Sequence, residues 1–426
     1  MKFPPEFGDP PPGPFRREFW RSPLRGPWLT SFLGAALLPL IVICALTGFL
    51  SHVAYYPDLG GNGIGEPGDL EFFLLPFDWP TSPSWLYAFT QGLHIASGVA
   101  AIPILLAKLW SAMPKLFEWP PVRSIAHALE RASLALLVGG SLFVFFTGIL
   151  NIQLFYPWNF SFVPAHYYGS FVFLAALGLH LVTKVPVALK AFRERGVIAP
   201  LRDDLANTEP EPPGEETTAP YSPQAPTISR RGLLATVGAG SLGLFLIGIG
   251  QVIGGPLRRI AFLAPRNNSG GPQGFQVNKS FTASGIEEAM TGSVWRLKLE
   301  GARSVELSRQ DLLAMEQRTE SLPIACVEGW STTQTWSGVP LRDLAALAGV
   351  SGGAEATVKS LQVGGAFGEA TLADGQVGDE RSLLALRVND ADLALDHGFP
   401  ARIIVPAAPG VHCTKWVRSI TFTEVA

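Results

Sequence analysis

Five long apolar runs constrain what this chain can fold into more than any other feature. They cover about residues 28–53, 85–110, 132–155, 164–187 and 233–253. Each is near or above the roughly 20 residues that an α-helix needs to cross a bilayer. Water-soluble cores seldom supply five such runs, so the expected architecture is a membrane α-helical bundle of four spans with a fifth anchoring span. The composition agrees: 47% of the 426 residues are apolar and 16% are charged, against roughly 25% charged in ordinary soluble proteins. The net charge of −3 gives no reason to expect a nucleic-acid partner. Membrane lipid is the partner that the runs imply.

Lysine and arginine set the expected orientation. Arg16, Arg17, Arg21 and Arg25 precede the first run. Lys108, Lys115, Arg123 and Arg131 lie between the second and third, and Lys184, Lys190, Arg193 and Arg195 follow the fourth. All fall on one side, read as cytoplasmic. The opposite loops carry Asp58, Glu66, Asp69, Glu71 and Asp78. The fifth run then leads outward, which makes the chain a multi-pass protein of the plasma membrane with its C-terminal domain extracytoplasmic. Arg258, Arg259 and Arg266 lie on the wrong side for this rule, and lipid headgroups are their expected contacts.

The division that follows is a cytoplasmic N-terminal segment over 1–27, a four-span membrane domain over 28–195 and a cytoplasmic linker over 196–228. Residues 229–254 hold the fifth span, 255–273 an outer linker and 274–426 a soluble domain. The stretch 207–228 is rich in Pro, Glu and Thr, a composition expected to stay disordered. It leads into Ser229-Arg230-Arg231-Gly-Leu-Leu. A twin arginine before an apolar run looks like a twin-arginine export signal, and it also reads as a plain positive-inside anchor. Gly238-Ala-Gly240-Ser-Leu-Gly243 is a formal GxGxxG match inside an apolar helix, where small residues for close helix packing are the better account. The soluble part is expected to be mixed α+β and strand-rich. Strands are expected over 295–300, 360–363, 402–406 and 417–422, with short helices over 308–316 and 341–347.

Five of the seven histidines lie in or beside the first four runs: His52, His94, His127, His166 and His180. Polar groups in hydrocarbon are costly and mark function. His166 and His180 are fourteen residues apart, which on a helix is a rise of about 21 Å and nearly four turns. They therefore share one face at two depths, an arrangement suited to one or two haem b groups held by imidazole. It resembles the b-type cytochrome subunits of formate dehydrogenases and hydrogenases. Two ligand schemes stay open. One pairs His52 with His166 and His94 with His180. The other pairs His94 with His166 and leaves His180 for His127, which otherwise caps its helix or faces water.

The three cysteines, Cys44, Cys326 and Cys413, form no CxxC and no zinc-type spacing. A disulfide framework, an iron–sulfur cluster and covalently attached haem are therefore not expected. Cys326 sits in Pro323-Ile-Ala-Cys326-Val-Glu-Gly-Trp330-Ser. By type it is a nucleophile, a redox thiol or a soft-metal ligand, and His397 or His412 is available as a base.

Resemblance narrows this. The stretch from Gln317 through Cys326-Val-Glu-Gly-Trp330-Ser, then Trp336-Ser-Gly-Val-Pro-Leu-Arg-Asp-Leu344, resembles the sulfite-oxidase-type molybdopterin domain. Asp396-His-Gly-Phe-Pro-Ala-Arg402-Ile-Ile-Val-Pro406 and Thr414-Lys415-Trp416-Val-Arg-Ser-Ile follow in the family's order. The domain is shortened at its N-terminal side. Its Cys-Val-Glu-Gly-Trp form is more similar to the periplasmic methionine-sulfoxide reductase catalytic subunit than to sulfite oxidase. The resemblance implies molybdopterin with molybdenum as cofactor and Cys326 as the thiolate ligand. It also implies that Lys415 lies near the pterin phosphate, with Arg402 and His412 in the same cradle; otherwise these are surface charges at strand ends. Trp330 and Trp336 read as core, His397 as part of a turn, Cys413 as a packed thiol and Cys44 as a small apolar residue.

Together these imply a membrane-anchored molybdenum oxidoreductase. Electrons would pass between quinone or quinol, haem and molybdenum, and the substrate would be a small or protein-bound oxide such as a sulfoxide. The alternatives are a sulfite-type dehydrogenase running in the oxidising direction and a metal-free electron-transfer or sensory membrane protein.

Overall fold

The computed structural model describes residues 8–55, 78–214, 218–264, 266, 270–364 and 367–425. The outer acidic residues Asp58, Glu66, Asp69 and Glu71 lie outside these, as do residues 1–7 of the N-terminal segment and part of the outer linker. Among the described residues, five helices are long and apolar enough to cross a membrane: α1 (Pro27–Tyr55), α2 (Leu86–Leu116), α3 (Ile125–Ile152), α4 (Phe162–Arg195) and α5 (Arg230–Ile253). The third stops short of the expected Phe155, because Leu154 takes a left-handed φ of 55° that a helix cannot continue through.

The chain forms two compact units. One comprises Met1–Ala45, Ala96–Asn151 and Trp158–Phe245; the other comprises Leu46–Ile95, Ile152–Pro157 and Leu246–Ala426. In the first unit, described parts of the segment expected to be disordered are packed. Both carboxylate oxygens of buried Glu211 accept the Trp28 N–H, at 3.2 and 3.1 Å. Trp28 lies in the first turn of α1, whose N–H groups lack helical acceptors and favour a negative charge. Trp28 Nε1 donates to Gly196 O at 2.8 Å. Arg230, wholly buried, donates to Pro23 O and Glu209 O at 3.2 and 2.6 Å. Local composition predicted disorder, but these partners come from remote parts of the chain.

The second unit holds the strand-rich domain. In chain order its elements are α6 (Phe281–Ser284), β1 (Arg296–Glu300), β2 (Val305–Ser308), α7 (Arg309–Ala314), β3 (Arg318–Ala325), β4 (Ser331–Pro340), α8 (Leu341–Leu347), β5 (Ala354–Ser360), β6 (Glu369–Leu372), α9 (Asp374–Gly378), β7 (Leu383–Val388), β8 (Ala391–Asp392), β9 (Arg402–Ile404) and β10 (Val417–Glu424). One sheet runs β2-β1-β10-β5-β6, and the other runs β3-β4-β7-β8 with β9 also paired to β7. The β1–β10 pair is parallel, closing the first sheet between distant parts of the chain. Leu297, Leu299, Val358, Ile420 and Phe422 alternate inward and fill the main core.

The α8 helix falls where expected, and α7 is trimmed to six residues behind a Ser308–Asp311 capping box. The strand expected over 360–363 is a correction. The ladder with β10 ends at Ser360, whose Oγ accepts the Gln362 N–H at 3.1 Å and turns the chain away.

Candidate functional site

Strands β3 and β4 form a hairpin paired from Arg318↔Gly338 to Ala325↔Ser331. Its loop is Cys326-Val-Glu-Gly-Trp330, closed by Cys326 N–H to Trp330 O and Gly329 N–H to Cys326 O, both at 2.9 Å. Gly329 has a φ of 90°, and a Cβ there would lie 2.3 Å from Ile95 Cδ1. Glycine is thus required twice, by backbone and by space.

Two arginines brace this loop. Glu328, almost fully buried, accepts from Arg266 Nε at 2.9 Å and Nη2 at 2.7 Å, and its Oε2 also accepts from Trp330 Nε1 at 2.9 Å. Arg258 Nη2 donates to Ser331 O at 2.8 Å, and Ser331 Oγ donates to Val252 O at 2.7 Å. Arg258 and Arg266 were two of the three cations expected at lipid headgroups, with Arg259. Their described contacts are instead with the cysteine hairpin.

Cys326 lines a small, partly open pocket whose lining also includes Gln276, Asn278, Trp330, His397 and Arg402. Burial raises the Cys326 thiol well above its ordinary range, and the Glu328 charge adds to this against the smaller opposing pull of Arg266. Such a cysteine is a neutral thiol and not a primed nucleophile. His397 does not activate it: the ring stacks on Phe275 at 3.6 Å, its Nε2 bonds Pro272 O at 2.7 Å, and burial lowers its pKa to about 4. A coordinated metal overrides this cost, because it deprotonates a ligating thiol outright.

Arg402 and His412, expected in the cradle or else as surface charges, are buried, which overturns the surface-charge reading of them, and Lys415 is buried as well. Arg402 Nη1 donates to His397 O at 3.0 Å and Nη2 to Cys413 O at 3.3 Å. Its guanidinium lies 5.1 Å over the Trp336 ring, and burial lowers its pKa to about 10. Lys415 Nζ donates to Asp396 O at 2.9 Å and to Lys279 O, 4.4 Å over the Trp416 ring. Burial first, then the Arg402 charge, lower its pKa to about 6. His412 is also buried. Of the three, Arg402 lines the pocket.

Gln276 Oε1 and Arg402 Nε are buried without a hydrogen-bond partner. Orphaned polar atoms of this kind are costly, and a polar ligand in the pocket would satisfy them. Together with a soft sulfur donor, they fit molybdopterin. Gln276, Asn278 and Arg266 were missed in the sequence; only Arg266 carried a signal there, as a misplaced positive charge.

The remaining residues sort plainly. Trp336 is core, with Nε1 donating to Leu322 O at 3.2 Å, and Cys413 is a packed thiol in the same cluster. Trp330 is buried but also lines the pocket. Cys44 is half-buried against Gly98. His52 and His94 belong to one compact unit, and His127, His166 and His180 to the other. A Cβ on Gly48 would lie 2.6 Å from His94 Nδ1, and one on Gly148 would lie 3.0 Å from His166 Cε1. Thr147 Oγ1 is 3.3 Å from His166 Nδ1. His127 Nδ1 accepts the Arg123 N–H at 3.2 Å at the start of α3, in agreement with the capping reading.

Residues 284–426 match the family described as "Oxidoreductase molybdopterin binding domain". The chain therefore carries a molybdopterin-binding oxidoreductase domain of the sulfite oxidase type. The chain is 35% identical to the nitrate reductase (NADH) of Volvox carteri, over 22% of this chain and 12% of that one. It is 32% identical to the "Uncharacterized oxidoreductase YuiH" of Bacillus subtilis, over 30% of this chain and 66% of that one. Against the sulfite oxidase of Gallus gallus it is 29% identical over 31% of this chain and 35% of that one. The chain thus spans between 12% and 66% of these relatives' lengths. The matched region contains Cys326, Arg402, His412 and Lys415, and leaves the five long helices outside.

Proposed function

We propose that the chain is a membrane-anchored molybdopterin-dependent oxidoreductase that passes electrons between the quinone pool, b-type haem and a molybdenum centre outside the cytoplasm. The observation that carries this reading is Cys326, on a braced hairpin and lining a pocket together with Gln276 and Arg402, each of which has a buried polar atom without a partner. Cys326 would be the thiolate ligand of the metal, a soft donor suited to it. Arg402, with Lys415 and His412 behind it, would supply positive charge toward the pterin phosphate. When bound, the group supplies two-electron oxygen-atom transfer chemistry. The protein's part is position and exclusion. Arg266 and Glu328 hold the loop in one geometry, Trp330 walls the pocket, and buried Arg402 keeps a fixed cation there.

The haem reading rests on His166 and His180, one above the other on α4, with His94 and His52 as candidate partners for one or two haems. The close approach of Gly48 to His94 and of Gly148 to His166 supports it, because glycine leaves room for each imidazole. The Cys-Val-Glu-Gly-Trp form favours an oxidised substrate such as a sulfoxide, free or within a protein. A sulfite-type dehydrogenase is the second reading, favoured by the identity with the Gallus gallus sulfite oxidase.

Metal analysis and a reduced-minus-oxidised spectrum of the full chain purified in detergent test the proposal. One molybdenum per chain and a bis-histidine b-type spectrum are expected. Haem without molybdenum would support the metal-free electron-transfer or sensory alternative, and molybdenum without haem would overturn the electron route.

A further inference from the structure

Two loops meet at Cys326. One is the hairpin loop, where Ala325, Cys326 and Trp330 line the pocket; the other joins β9 to β10, and its Gly410 lines the pocket as well. Gly410 N–H donates to Ala325 O at 2.7 Å, and Ala325 and Pro409 form a parallel bridge. A Cβ on Gly410 would lie 3.1 Å from Ala325 O. The second loop therefore sits directly against the residue before the cysteine.

Both loops are held by one stretch of chain, residues 79–95, which leads into α2 and forms its outer turns within the same compact unit. Gln91 Nε2 donates to Val327 O at 2.6 Å, and Ile95 fills the space beside Gly329. Trp79 Nε1 donates to Ala407 O at 2.7 Å, and Ala407 N–H donates to Ser84 O at 3.1 Å. Ala407 has a left-handed φ of 58°. A residue with a Cβ adopts that conformation at a cost, and keeps it only where its surroundings fix it. Here the same stretch fixes both of its backbone polar groups. The stretch is tied to the domain a third time by Arg381, whose Nη2 donates to Thr81 O at 3.2 Å and to Ser82 Oγ at 2.8 Å.

We propose that residues 79–95 are a clamp that holds the two loops together and so sets where Cys326 sits. Trp79 and Gln91 are its positioning residues; they stand outside the pocket lining and act through the loops. The clamp itself rests on the chain's own contacts, while its use in catalysis rests on the molybdenum reading above and deepens it. The molybdopterin domain then depends on a stretch of chain far outside the matched residues 284–426.

The test is Trp79→Phe and Gln91→Met in the full chain purified in detergent, read by amide hydrogen exchange. The peptides compared cover residues 325–331, residues 406–413 and, as a control, strand β5. Each substitution removes one hydrogen bond and keeps most of the side-chain volume, which corresponds to about a twofold to tenfold change in local opening. Each variant should speed exchange by about that factor in both loops, including the loop it does not touch, and leave β5 unchanged. In molybdenum-loaded protein the Mo(V) resonance should shift in both variants, which a contact that only stabilises the fold would not cause. Variants that each loosen only the loop they touch overturn the clamp, because two separate contacts then suffice. Equal acceleration in β5, unchanged exchange throughout, or an unchanged resonance overturns it as well. If Trp79→Phe does not fold, Gln91→Met read at residues 406–413 decides alone. A wild-type chain that holds no molybdenum overturns the molybdenum reading and leaves the clamp to be decided by exchange.

Discussion

Two buried glutamates, Glu211 in the segment before α5 and Glu328 in the cysteine hairpin, show how differently this chain stabilises the same charge. Each side chain is 6% exposed. Glu328 meets a two-pronged guanidinium, with Arg266 at 2.9 and 2.7 Å, and a tryptophan N–H as well. Burial is the largest single influence on Arg266 and works against its charge, but the hydrogen bonds to Glu328 and the Glu328 charge, with smaller contributions from Cys326 and Tyr156, together outweigh it, and its pKa is raised. Glu211 accepts a backbone N–H from Trp28, and Arg195 stands off at 3.7 Å. Burial dominates there and raises the Glu211 pKa. A bidentate pair fixes distance and angle, whereas a helix N-terminus accepts a carboxyl with less demand on geometry. The chain uses the first beside Cys326 and the second where a linker docks.

If the rigid pair exists to aim Cys326, the largest effect belongs to the cysteine itself. Cys326→Ser keeps the size and replaces sulfur with a harder donor. It should abolish turnover and remove the thiolate feature from the molybdenum X-ray absorption, with haem and membrane insertion intact. Cys413→Ser, in the same buried cluster, should do neither. Full activity of the serine variant at 326, with loss at 413, would mean that the hairpin is braced for some other purpose.

The next effect compares the two glutamates directly. Arg266→Met strands a buried carboxylate, and breaking such a pair costs about 3–5 kcal/mol. Arg195→Met removes a partner that is already distant, and should cost under about 1 kcal/mol. Chemical denaturation of the full chain in detergent measures both. Equal costs would erase the distinction drawn from the distances.

The same contrast explains what was legible in the sequence. The five long apolar helices were readable because hydropathy and length act locally, and α8 fell where its apolar pattern put it. Cys326 was readable because its neighbours form a motif. The contacts of Arg266 and Gln91 with the Cys326 hairpin were not readable, because they exist only after remote segments meet. Gln91 and its acceptor Val327 are 236 positions apart. The linker failed for a related reason: its composition describes a solvated chain, but Glu211 finds Trp28 183 positions away. Arg402 and Lys415 were readable as cradle candidates by motif, yet their burial was not, because it depends on Trp336 and Trp416 rings brought over them by the fold.

The smallest effect concerns pH and belongs to Glu211. The Glu211 pKa is raised in the folded chain above its ordinary 4.5. The folded state therefore binds its proton more tightly than the unfolded one, and the stabilising contribution is full below about pH 4.5 and lost as pH rises through the folded pKa. Docking of Glu211 onto the start of α1 should accordingly be tighter near pH 4.5 than near pH 7.5. Amide exchange of the Trp28 N–H, corrected for the intrinsic rate at each pH, reads this directly. Glu211→Gln keeps a carbonyl acceptor for that N–H and removes the titrating proton, so the variant should show flat protection across the range. Protection that falls on acidification in the wild type would show that Arg195 and Arg230 stabilise the ionised form after all. Glu211 would then be held by charge, as Glu328 is, with distance as the remaining difference between them.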